Sequence, residues 1–131
     1  MNFEGVIIEE SLTDATVLNE VSILSTKVEP VTEKHKTPWV EQWTLRTVSI
    51  PPDNATHIAE VLSKVIDTSH KSSWYADFKS DTIHYIIFPE KVFRIDRTKK
   101  EEYQAATEYG LTLGIPDYQL DFAPNVVQWD R

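Results

Sequence analysis

The order of hydrophobic periodicities from residue 42 onward constrains the fold of this chain more than any other feature of its sequence. Alternating or β-branched runs typical of strands recur at residues 42–50, 73–79, 82–88 and 118–122. One helical pattern follows Pro51-Pro52, and a second follows Thr98. The resulting order predicts a ferredoxin-like βαββαβ core over about residues 42–122. We therefore expect an α+β fold with an antiparallel sheet and two helices on one face.

The two predicted helices carry recognisable end signals. Asp53 is the expected cap of the first helix, whose apolar stripe consists of Ile58, Val61, Leu62, Val65 and Ile66. In the second helix, Thr98 and Glu101 form a T-x-x-E capping box, and Gly114 supplies the left-handed conformation that ends many helices. Its inward face consists of Tyr103, Ala106, Gly110 and Leu113.

The remaining segments attach to this core without a second domain. Phe3–Glu10 and Val21–Val28 read as an N-terminal β-hairpin that extends or covers the sheet, and Val92–Asp96 reads as an extra edge strand or a loop strand. Residues 29–41 form a long loop. Because no linker or repeat interrupts the sequence, residues 1–131 are predicted to form one domain.

Composition excludes several classes of function. The chain has no cysteine, and its four histidines show no metal-ligand spacing, so we predict neither a metal site nor a cofactor. A net charge of -8 disfavours nucleic-acid binding. No signal segment or membrane-spanning run is present, which predicts a cytoplasmic protein that does not enter the membrane.

Asp77 and His84 are the first candidates for a catalytic pair. A two-residue turn at Ser80-Asp81 would place Asp77 directly opposite His84, with Tyr75 on the same surface of the sheet. A carboxylate beside an imidazole fixes the tautomer and orientation that a general base needs. We interpret His84 as a candidate base oriented by Asp77. The alternative is an ordinary cross-strand pair.

The same surface carries Ile86 and Phe88, which would form an apolar patch if both helices lie on the other face. The N-terminal hairpin, a second subunit or a ligand could cover it. We expect a homodimer, because two-fold association is common among soluble proteins.

Two further segments have the chemistry of binding sites. His35 and Trp39 lie in the long loop, where an imidazole and an indole suit a binding surface, although solvated loop residues would look the same. Arg97 lies beside the start of the second helix and could hold a small anionic ligand. Capping by Thr98 explains that region without a ligand.

Four stretches carry a resemblance to known sequences: TPWVEQW (37–43), SWYADFK (73–79), HYIIFPEKVFRIDR (84–97) and YGLTLGIPDYQLDF (109–122). They resemble small hypothetical prokaryotic proteins of similar length, for which no activity is characterised. The resemblance implies a small stand-alone protein and assigns no catalytic residue. We expect a binding or regulatory protein that self-associates through its open sheet face. The alternative is an enzyme acting on a small anionic substrate, with His84 as base, Asp77 orienting it and Arg97 as charge clamp.

Overall fold

The structure is a computed structural model that describes residues 2–33, 37, 40–68 and 74–122. Within these ranges, short 3-10 helices lie at Glu9–Ser11, Ala15–Glu20 and Asp117–Gln119. The strands and α-helices of the described residues are β1 (Phe3–Ile8), β2 (Ser22–Pro30), β3 (Gln42–Ile50), α1 (Pro52–Val65), β4 (Ala76–Lys79), β5 (Ile83–Phe88), β6 (Lys91–Asp96) and α2 (Lys100–Thr112).

The strands form a six-stranded sheet in the order β2-β3-β1-β4-β5-β6, and each neighbouring pair is antiparallel. The predicted α+β class with an antiparallel sheet is therefore confirmed. The predicted N-terminal hairpin is wrong, because β3 lies between β1 and β2. Residues 9–21 separate those two strands and contain two 3-10 helices, so they leave room for β3 to pair with both.

The two helices pack on opposite faces of the sheet. Ile58 and Leu62 of α1 share a buried cluster with Tyr85 and Ile87 of β5, whereas α2 shares a separate cluster with Ile86 and Phe88. Successive residues of a strand point to opposite faces, so the two clusters lie on the two sides of β5. The expectation of both helices on one face is wrong. A strand covered on both sides reads as a continuous apolar run, and the sequence of β5 is such a run.

The segment after α2 forms no strand in residues 113–122. Its 3-10 helix at Asp117–Gln119 leads Leu120 and Phe122 into the α2-side cluster. The predicted strand at 118–122 is therefore wrong, and the ferredoxin-like connectivity is not confirmed. The Val92–Asp96 segment is an edge strand, since β6 ends the sheet and pairs with β5.

The ends of the helices match the sequence only in part. Pro51 occupies the cap position of α1, so Asp53 lies within the first turn rather than capping it. The Thr98 hydroxyl donates to the Asp96 carboxylate at 2.7 Å, so the predicted capping box does not form and α2 begins two residues later. Gly114 has φ of 84°, as expected for the glycine that ends this helix. No helix in the described residues is both long enough and apolar enough to cross a membrane.

Gly5 allows β1 to lie against β4. A Cβ at this position would collide with the backbone oxygen of Asp77 and would lie 2.7 Å from the Cα of Phe78. Gly5 pairs with Phe78 in the sheet, so any side chain here would separate the two strands. The contact joins the two halves of the sheet, because β1 is the strand to which β4 pairs.

Candidate functional site

The β4–β5 hairpin holds both residues of the candidate catalytic pair, but its register differs from the expectation. Lys79 pairs with His84 and Asp77 with Ile86, so the two-residue turn is Asp81-Thr82 rather than Ser80-Asp81. The Ser80 N–H donates to the Ile83 carbonyl at 2.8 Å, and the Ser80 hydroxyl accepts from the Ile83 N–H at 3.2 Å. Ser80 thus closes the turn, which lies one residue later in the chain than the sequence predicted.

Asp77 and His84 still meet, because the correct register makes them diagonal neighbours on one face. His84 Nε2 lies 2.7 Å from Asp77 Oδ2. The register error therefore did not separate the pair. Diagonal residues remain within reach when one side chain is as long as an imidazole.

Tyr103 of α2 completes the contacts of the imidazole. Its hydroxyl lies 2.9 Å from His84 Nδ1. Because an ionised carboxylate only accepts hydrogen bonds, we assign the ring proton to Nε2, which leaves Nδ1 to accept from the Tyr103 hydroxyl. The sequence placed Tyr103 on the inward face of its helix but gave no partner for it. A tyrosine hydroxyl on a buried face generally needs a hydrogen-bond partner. That requirement was the signal in the sequence that Tyr103 contacts another polar residue.

Arg97 extends the group formed by Asp77, His84 and Tyr103, at the end opposite Asp77. Its Nη1 donates to the Ser80 carbonyl at 2.6 Å, which fixes the guanidinium beside the hairpin turn. Burial raises the pKa of Tyr103, and the nearby Arg97 guanidinium opposes that rise. Arg97, Tyr103, His84 and Asp77 form what we call the polar chain, with a positive charge at one end and a carboxylate at the other.

The polar chain is closed to a substrate at its centre. The side chain of His84 is 1% exposed, whereas that of Asp77 is 33% exposed, so the carboxylate of this pair reaches solvent and the imidazole does not. Both ring nitrogens of His84 already have partners, whereas a general base must lie within hydrogen-bond reach of the proton it removes. The arrangement fixes α2 to β4 and β5 through buried polar contacts.

Tyr75, another expected ligand residue, makes its contacts outside the polar chain. The Tyr75 hydroxyl donates to the Gln119 carbonyl, and its ring packs 5.7 Å from Phe88 and 5.6 Å from Phe122 between centroids. Tyr75 thus holds the segment after α2 against the sheet. His35 and Trp39 lie outside the described residues.

The expected open face is covered, and exposed apolar residues appear elsewhere. Ile86 and Phe88 are completely buried beneath α2. On β2, by contrast, Ile23, Leu24 and Val28 are 45%, 55% and 54% exposed. The sequence contained a signal for this edge. Lys and Pro within one strand are typical of an edge strand, and β2 contains Lys27 and ends at Pro30.

No group of three or more histidine or carboxylate side chains in the described ranges could hold a metal ion. No protein family, curated protein or solved structure shows significant similarity to this chain. The resemblance to small prokaryotic proteins therefore stays a prediction. The functional proposal below therefore rests on the geometry of the described residues.

Proposed function

We propose that this protein is a binding module that accepts an extended segment of another polypeptide along the outer edge of β2. The observation that carries the proposal is the exposure of this strand. β2 is nine residues long, and Glu29 is its one buried residue. Among the described residues, β2 pairs with β3 on one side, and its other side is the edge of the sheet.

The backbone of β2 offers hydrogen-bonding groups along that edge. The Val31 N–H donates to the Glu41 carbonyl at 3.0 Å, in register with the β2–β3 ladder. Because residues of an antiparallel strand alternate between bonding to one neighbour and bonding to the other, Thr26 and Val28 direct their N–H and C=O groups outward. Pro30 falls in the same outward set, where its missing N–H costs no ladder bond. An added strand would bond to Thr26 and Val28.

Exposed side chains on the same strand would supply apolar contacts. Leu24 and Val28 are each more than half exposed, and Ile23 nearly so. In strand addition, main-chain hydrogen bonds provide much of the affinity and alternate side chains provide specificity. An edge strand of this length with such side chains has the features of a strand-addition site.

The opposite edge of the sheet is less suited to this role. β6 is six residues long, and it carries the charged residues Lys91, Arg94 and Asp96. The Arg94 Nε donates to the Tyr85 hydroxyl at 3.2 Å. Charged side chains on a short edge strand hinder pairing with another chain. These differences support β2 as the binding edge.

The proposed function belongs to the class expected from the sequence, but the proposed binding surface differs from the expected one. A binding or regulatory protein was expected to use the sheet face of Ile86 and Phe88, which α2 covers. The enzyme alternative has less support, because His84 is enclosed and both its nitrogens are engaged. The polar chain fits a positioning role for α2 better than a role in proton transfer to a substrate.

A displayed library of random linear peptides tests strand addition while the natural partner is still unidentified. Selected peptides should slow amide hydrogen exchange at Thr26 and Val28, while the Ser25 and Lys27 amides, which face β3, are already protected. A double variant, Leu24→Lys with Val28→Lys, should lose binding.

The matched control for this experiment is Leu111→Lys. Leu111 is 48% exposed on α2, far from the proposed edge in the sheet order. The control variant should bind the selected peptides as the wild type does. Peptides that bind without changing exchange at Thr26 and Val28, or a library that yields no binder, would contradict the proposal.

A further inference from the structure

The exposed apolar residues of β2 lie on both sides of Thr26, and this arrangement indicates which polypeptide the strand accepts. We propose that the strand accepted by β2 is β2 of a second copy of this chain, antiparallel to the first, with the two-fold axis passing at Thr26. This inference rests on the proposed function, since it names the occupant of the same edge. A two-fold contact uses the same patch on both copies, so the patch must be complementary to itself.

The axis at Thr26 satisfies the backbone. Thr26 points its N–H and C=O outward, so Thr26 of one copy and Thr26 of the other form a hydrogen-bonded pair. Val28 then pairs with Leu24 of the other copy, and Ser25 pairs with Lys27. The outward-pointing groups of Thr26 and Val28 therefore all meet the edge of the second copy.

The side chains agree with this register. Leu24 and Val28 are the two most exposed apolar residues of β2, and each lies two residues from Thr26 along the chain, Leu24 at the register shift of the strand. The axis therefore places each Leu24 against a Val28 of the second copy. Cross-strand pairs of apolar side chains on one face contribute to sheet stability.

Neighbouring registers have specific defects. An axis at Lys27 would place two Lys27 side chains directly opposite each other, and like charges in that position destabilise a sheet. An axis at Val28 would pair Thr26 with Pro30, which has no N–H to donate. Axes nearer the start of the strand meet the register shift between Ile23 and Ser25, where the strand is irregular. The Thr26 axis avoids the first two defects and meets the register shift only at its outer pair, where Leu24 lies.

The charge of the molecule adds a condition on this association. Each copy carries a net charge of -8, so two copies repel each other over long range. Within the pairing itself, Lys27 faces Ser25, and no like charges oppose each other. The Lys27 ammonium also lies 3.0 Å from the Glu29 carboxylate of its own strand. The local contact is thus compatible with pairing, although the overall charge weakens it at low salt.

Single-cysteine variants test the register, because the chain contains no cysteine of its own. In the proposed pairing, the two Thr26 Cα atoms are about 5.5 Å apart, within the range that a disulfide spans. The two Val28 positions are four residues apart along the paired strands, about 13 Å. Thr26→Cys should therefore form a disulfide-linked dimer under mild oxidation, and Val28→Cys, which is at an exposed position as well, should not.

The expected difference in the rate of cross-linking is large. Paired strands hold the two Thr26→Cys thiols at an effective concentration in the millimolar range, about a hundredfold above a protein concentration of ten micromolar. A mixture of Leu24→Cys and Val28→Cys should cross-link to a mixed dimer at a similarly raised rate. This second pairing leaves the hydrogen bond from Arg46 to Thr26 intact, so it does not depend on the Thr26 substitution.

Light scattering of the wild type completes the experiment. The expected mass is twice the 15.1 kDa of one chain at high concentration. Faster cross-linking by Val28→Cys than by Thr26→Cys would overturn the register. A mass that stays at one chain would overturn the second copy as occupant, yet selected peptides that protect Thr26 and Val28 would leave the proposed function standing. If the mass stays at one chain and no selected peptide protects Thr26 and Val28, both the second copy as occupant and the proposed function are overturned.

Discussion

Replacing Tyr103 with phenylalanine tests the polar chain most directly. The substitution keeps the ring in the core and removes only the hydroxyl that lies 2.9 Å from His84 Nδ1. The lost hydrogen bond costs about 1 kcal/mol, and leaving Nδ1 buried without a donor costs about 1 to 2 kcal/mol more. We therefore expect the free energy of unfolding to fall by about 2 to 3 kcal/mol. For a domain of this size, the melting temperature should fall by roughly 6 to 9 °C.

The assay is urea unfolding of the wild type and Tyr103→Phe, followed by tryptophan fluorescence, with Tyr109→Phe as the matched control. Tyr109 lies on the same helix, and its hydroxyl makes no hydrogen bond with the described residues. The control should change stability by less than about 0.5 kcal/mol. Equal effects of the two substitutions would refute the chain, because deletion of a hydroxyl would then matter irrespective of His84.

The same pair of proteins gives a second readout at alkaline pH. Burial raises the pKa of Tyr103 above its ordinary value of 10.0, and Arg97 partly opposes this rise. Because the folded protein favours the neutral hydroxyl, this contribution to stability is complete below pH 10 and is lost as the pH rises through the raised pKa. The difference in stability between the wild type and Tyr103→Phe should therefore shrink above pH 10. A difference that stays constant there would contradict the burial of the hydroxyl.

Three other predictions concern separate parts of the molecule. Gly5→Ala should destabilise the protein by about 2 to 3 kcal/mol in urea unfolding, because its Cβ would collide with the backbone of Asp77; an unchanged midpoint would show that β1 and β4 are not held so closely. Hydrogen bonds from the backbone and side chain of Thr98 lower the pKa of Asp96, so its contribution to stability is present above pH 3.8 and is lost as the pH falls through the lowered pKa; Asp96→Asn should flatten the acid unfolding curve over that interval. Raising the ionic strength should strengthen the dimer in light scattering, because salt screens the repulsion between two chains of charge -8, whereas dissociation on adding salt would indicate an interface dominated by ion pairs.

Features set by nearby residues could be predicted from the sequence. The apolar stripe of α1 and the glycine that ends α2 lie within single elements, so their spacing is visible in the chain. Asp77 and His84 were brought together by one short hairpin, and the pair survived an error in its register. A single helix or a short hairpin has few alternative arrangements, so its residues can be placed from the sequence.

Features that depend on distant pairing could not be predicted in the same way. The run from His84 to Phe88 is apolar at nearly every position, so it does not indicate which face each helix covers. Burial of Ile86 and Phe88 under α2 is decided by where the chain returns after β6. The contact between Tyr103 and His84 also follows from that return. The position of β3 between β1 and β2 likewise depends on competition among several strands of similar pattern.

The sheet order has a consequence for how fast the parts of the molecule can form. β4, β5, β6 and α2 are consecutive along the chain and pair or pack with near neighbours, whereas the β1–β4 ladder joins Glu4 to Lys79. Contacts between residues close in sequence close smaller loops and form earlier in folding. We therefore expect the hairpin and α2 to be structured in the transition state, and the β1–β4 ladder to form after it. Conservative substitutions in β5 should then slow folding, while those in β1 should mainly accelerate unfolding.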